Sequence, residues 1–105
     1  MSLKNLDRFE EAKSLLRKTI PVARRVLGEN FDLTLLMRWN YAGALFQNPS
    51  STLDDVREAV TTLEETARTA RRVLGSTHPI TTEIEADLQN AQAALRTREE
   101  MPSRA

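Results

Sequence analysis

The chain contains no cysteine, which excludes disulfides, thiolate metal sites and cysteine nucleophiles together. Glycine is scarce, and its three residues lie too far apart to form a phosphate-cradling loop. Aromatics are 5% of the chain and Val and Ile are few, which argues against an all-β fold, since pleated faces draw on those residue types. A single histidine leaves no second imidazole or thiol for a catalytic triad or a zinc site. Charge of one sign is missing too: fifteen basic and fifteen acidic side chains cancel. Nucleic-acid binders carry a net basic field to neutralise phosphates, so no nucleic-acid partner is expected. The apolar runs are only a few residues long, so no membrane span is expected. Residues 1–8 lack an apolar signal core, and the expected location is intracellular, in the cytoplasm.

Helix formers dominate what remains. Ala, Leu, Glu, Lys and Arg make up nearly half of the 105 residues, the composition of long-helix proteins. At 11.9 kDa the chain is expected to be one domain, residues 1–105, with one modest core. The strongest pattern is internal. Leu6-Asp7-Arg8-Phe9-Glu10-Glu11-Ala12 reappears as Leu53-Asp54-Asp55-Val56-Arg57-Glu58-Ala59, and Ala23-Arg24-Arg25-Val26-Leu27-Gly28 reappears unchanged at 70–75. Both matches share an offset of 47, and 12 of the 23 positions from 6 to 28 are identical without a gap. A period of this size signals stacked supersecondary units, none able to bury its apolar face alone.

Four helices are expected, at about 4–27, 32–47, 52–74 and 79–100, with a fraying tail at 101–105. Phe9, Ala12, Leu16, Ile20, Ala23 and Leu27 form a stripe at helical spacing, and Gly28 stands where a left-handed residue ends such a helix. Val56, Ala59, Leu63, Ala67, Ala70 and Leu74 repeat that stripe up to Gly75. Ser51 and Thr52, each followed three residues on by an aspartate, are candidate caps for the third helix. Asn48-Pro49-Ser50-Ser51 reads as a turn. Pro79 suits a first turn, and Ile80, Ile84, Leu88, Ala91 and Leu95 share one face of the fourth helix. Pro21 breaks the local rule, because it removes a donor and crowds the preceding turn. A kink near 17–21, or two shorter helices, is expected there.

These residues resemble a tetratricopeptide repeat array of the longer-period kind found in kinesin light chains. The resemblance rests on Arg8-Phe9-Glu10-Glu11-Ala12 opening a B helix, Ala-Arg-Arg-Val-Leu-Gly closing it, and Thr77-His78-Pro79 leading into the next A helix. Trp39-Asn40-Tyr41-Ala42-Gly43-Ala44-Leu45-Phe46 resembles the body of an A helix, and the likeness covers about 6 to 95. It departs from the family in starting on a B helix without its A partner, and in carrying Gln89 where the period places Ala42. The chain is then either a fragment of a longer array or a unit completed by self-association. The resemblance implies an all-α fold of two stacked αα-hairpins; short loops leave an up-down four-helix bundle as the alternative.

Nothing in the sequence resembles an active site. His78 precedes Pro79 and reads as a helix-start residue, and the adjacent carboxylate pairs point about 100° apart on a helix, so they form no shared-proton dyad. No catalysis and no cofactor are expected. The expected function is noncatalytic protein–protein interaction, with a peptide or helix of a partner held in a concave groove. The alternative is a structural element that self-associates as a homo-oligomer, or packs into a larger complex, through exposed helix faces, the first helix above all. The helix at 33–47 is apolar on more than one side. Leu36, Trp39, Gly43 and Phe46 make one stripe, which is either core packing or, by the resemblance, the groove wall. Arg24, Arg25, Arg71 and Arg72 are a second candidate site, as a basic ridge for an acidic peptide or as compensation of helix dipoles.

Overall fold

The computed structural model describes residues 3–28, 32–47 and 51–100, with side chains described from Glu10 onward. The turn expected at Asn48 to Ser50, the side chain of Phe9 and the tail at 101–105 lie outside the described residues. Four α-helices follow one another: α1 (Leu3–Leu27), α2 (Asp32–Phe46), α3 (Leu53–Leu74) and α4 (Pro79–Glu100). The described residues contain no strand.

The helix ends follow from a few residues. Gly28 and Gly75 have φ of 90° and 99°, and each N–H donates back to a carbonyl one turn earlier, at Arg24 and Arg71. Both glycines therefore take the positive φ that side chains resist. At Gly75 ψ is 154°, extended rather than left-handed helical. Thr52 caps α3: its hydroxyl accepts from the Asp55 N–H at 3.1 Å, and the Asp55 carboxylate accepts from the Thr52 N–H. Ser51, the other candidate cap, is buried and does something else. Its hydroxyl donates to the Leu45 carbonyl and its own carbonyl accepts from Arg98 Nη1, tying the α2–α3 junction to α4. His78 opens α4 by accepting the Ile80 N–H on Nδ1 at 3.1 Å.

α1 runs through Pro21 as one helix, so the division into two shorter helices does not occur. Pro21 lies on the exposed side, where water can serve the Arg17 carbonyl that lost its donor.

The helices form an open series. α1 packs on α2, α2 on α3, α3 on α4, and α2 also reaches α4; among the described residues α1 and α4 do not meet. A closed up-down bundle requires that fourth contact, so the fold is the stacked-hairpin one. The core gathers Ile20 from α1, Leu35, Ala42 and Leu45 from α2, Ala59, Leu63 and Ala70 from α3, and Ile84 and Ala91 from α4. Ala42, Ala59, Ala70 and Ala91 are fully buried, small enough to let helix axes approach.

Two buried groups are out of place. Thr34 and Thr81, one 47-residue period apart, are both fully buried, and neither hydroxyl has a hydrogen-bond partner among the described residues. A buried hydroxyl without a partner keeps its desolvation cost, so Thr34→Val and Thr81→Val should each raise stability by about 1 kcal/mol. Urea denaturation reads this as a higher midpoint at unchanged slope. A lower midpoint would mean that the hydroxyls are bonded.

Candidate functional site

α2 supplies most of a groove of about 600 Å³. Asn40 and Gly43 of α2 and Gln47 just past its end lie three or four residues apart and line it together, Leu15 and Leu16 of α1 form one side, and Trp39 with Asp87 of α4 closes the other. The Trp39 ring packs against the core, while its Nε1–H donates to Asp87 Oδ2 at 2.6 Å, bridging residues 48 apart. The floor is apolar. Two carboxamides, each with donors and an acceptor, stand over it beside one carboxylate, and among the described residues no cation lines it. Such a surface can bury an apolar side chain and hydrogen-bond a neighbouring backbone. Among the described residues no group of three metal-ligating side chains exists.

Of the residues expected in a groove, Trp39 and Gly43 line this one. Trp39 is thus half in the core and half in the wall. Phe46 packs against the core, and Leu36 is half-buried elsewhere on α2. Asn40, Gln47, Leu15 and Asp87 were not singled out from sequence. One signal pointed to them: Asn40 and Asp87 are 47 apart, so the repeat puts them at equivalent places on α2 and α4.

A second cleft, of about 250 Å³, opens between α1, α2 and α3. Its floor holds Arg38, almost completely buried and paired with Glu65 Oε2 at 3.1 Å, and Tyr41. The Tyr41 hydroxyl donates to Glu58 and accepts from Arg17 Nε and Nη2 at 3.2 and 3.0 Å. Arg17 also pairs with Glu58 at 3.5 Å, and Lys13 reaches Asp55 at 3.7 Å. The backbones of α1 and α3 stay apart, and these long side chains span the gap. Burial pushes the Tyr41 phenol above its ordinary value, and its bond to Glu58 adds to this; the Arg17 bond partly offsets it. The same bond to Tyr41 raises Arg17.

The cleft has an image. Its α1 and α2 lining is Arg17, Ile20, Pro21, Arg24, Arg38 and Tyr41. Moved on by 47, these become Glu64, Ala67, Arg68, Arg71, Glu85 and Leu88, which line a recess of about 350 Å³ between α3 and α4. The repeat read in the letters is therefore a repeat in space. Arg24 and Arg71 stand in separate recesses, with Arg71 bound to Glu85 through Nε at 3.0 Å, and Arg25 and Arg72 are exposed.

A family model described as tetratricopeptide repeat matches residues 1–31 and 51–80, more than half of the chain. The chain belongs to the tetratricopeptide repeat family. No curated protein and no solved structure matches it. The matched segments contain α1 and α3, each followed by its glycine. Tetratricopeptide repeats generally mediate protein–protein interactions and are generally noncatalytic. Among the described residues of this repeat protein, no helix is long and apolar enough to cross a membrane.

Tyr41 gives the array a pH signature. Its folded value lies above the ordinary 10, so the fold holds the phenolic proton more tightly than the unfolded chain does. That contribution is intact below pH 10 and is lost as pH rises through the folded value. Tyr41→Phe should therefore be less stable than wild type at neutral pH and lose less stability in alkali. Urea midpoints measured from neutral to alkaline pH check this; parallel profiles for the two proteins would contradict it.

Proposed function

We propose that this chain is a noncatalytic interaction module that holds a peptide or helix of a partner protein in the groove of Trp39, Asn40, Gly43, Gln47 and Asp87. The observation that supports the reading is the groove's make-up: apolar floor, paired carboxamides and a volume of about 600 Å³, within the range of ligand sites. Trp39 is the natural anchor, because its bond to Asp87 fixes the ring before a partner arrives. The repeated Ala-Arg-Arg-Val-Leu-Gly motif and the long period support a kinesin-light-chain-like subtype.

Gly43 allows a clean test. A Cβ there would meet nothing closer than the flexible end of Gln47, at 3.8 Å. Gly43→Leu should fill the groove, leave the fold intact and abolish binding of peptides selected from a random library against wild type. Peptides that bind both proteins equally would contradict the reading.

A second reading, self-association, is favoured by the face of α1. Leu15, Val22 and Val26 are 65%, 46% and 70% exposed and lie on one side of that helix.

A further inference from the structure

We propose that copies of this chain stack head to tail, α1 of one copy covering α4 of the next, as α3 covers α2 within each copy. The inference deepens the self-association reading by naming both surfaces.

The recess between α3 and α4 is an unfinished copy of the first cleft. Glu58, Thr62 and Glu65 of α3 form the third wall of that cleft, beside its α1 and α2 residues. In the recess only the walls from α3 and α4 are present among the described residues. One period before Glu58, Thr62 and Glu65 stand Glu11, Leu15 and Lys18, all exposed on α1. An α1 from a second copy thus carries the missing wall at the required spacing.

The charges fit. Arg38 pairs with Glu65 in the first cleft; the image of Arg38 is Glu85, and the image of Glu65 is Lys18. Both members reverse sign, so a pair forms again across the two copies. Arg71 engages Glu85 through Oε2 alone, which leaves Oε1 for Lys18. The apolar groups fit as well. Leu15 replaces Thr62 and meets Leu88, which replaces Tyr41. Burial points the same way. On α3, Ala59, Leu63 and Thr66 are fully buried, whereas their α1 counterparts Ala12, Leu16 and Thr19 are only half-buried.

Both outer faces are more polar than the inner ones. Gln89 and Gln92 replace buried Ala42 and Leu45 on α4, and Lys13 replaces buried Val60 on α1. The contact is therefore weaker than the internal packing, and it is heterologous, so it does not close at a dimer. Leu15 lines the groove too, so stacking and peptide capture compete for it.

Sedimentation equilibrium across a wide dilution series tests this on the full chain, with thermal midpoints as the check on folding. Wild type should gain mass with concentration without levelling off at a dimer. Lys18→Glu should weaken association about tenfold or more, and the double variant Lys18→Glu with Glu85→Lys should restore it. Leu15→Asp, at an exposed site, should leave a folded monomer. A constant monomer mass, a plateau at the dimer, or failure of the double variant to restore association would each overturn the proposal. Peptides selected for the groove separate the two readings. Lys18→Glu should still bind them, and loss of peptide binding with stacking intact would sink the groove alone.

Discussion

Everything in this fold depends on α2 being covered from several sides at once. Fifteen residues pack against α1, α3 and α4 together. A helix in that position keeps little polar surface beyond Asp32 and Asn40, and its sequence shows it: Leu35, Ala42 and Leu45 are fully buried, and even Arg38 is almost completely so. A buried guanidinium is costly unless paired, and Glu65 supplies the partner across the cleft. α3 follows the ordinary rule, with Val56, Ala59, Leu63, Ala67 and Ala70 on one buried stripe and charges on the other.

The groove and the clefts are consequences of the stack. Offset helices packed in series leave hollows between every second pair, and a repeat of 47 places chemically related residues at each. Where the residues are kept, as with Arg24 and Arg71, the hollows share a character. Where they change, as from Arg38 to Glu85 or Tyr41 to Leu88, the hollows acquire different partners. One scaffold thereby carries surfaces of different specificity.

Four helices, the positive-φ glycines and the Thr52 cap were legible because each rests on neighbours within a turn or two. The repeat was legible for the same reason, being a comparison of the chain with itself. The Trp39–Asp87 bond was not, since it joins residues 48 apart whose pairing depends on how α2 crosses α4. Ser51 was misread as a cap because its partners, Leu45 and Arg98, belong to the tertiary structure. Tyr41 stood in sequence only within the apolar segment that resembles an A helix; its ring is buried as that implies, but its hydroxyl holds Arg17 and Glu58 together. Stripe patterns register the ring and miss the oxygen. Trp39 and Gly43 of the expected stripe line the hollow beside α2, and the carboxamides were passed over because a lone Asn or Gln carries no pattern of its own.

Covered in this way, α2 binds the two hairpins into one cooperative unit. Native-state amide hydrogen exchange measures this residue by residue. The amides of α2 and α3 should exchange only through global unfolding, with the same free energy and the same denaturant dependence. Exchange of α1 and α2 together at a distinctly lower free energy, while α3 and α4 stay protected, would contradict it.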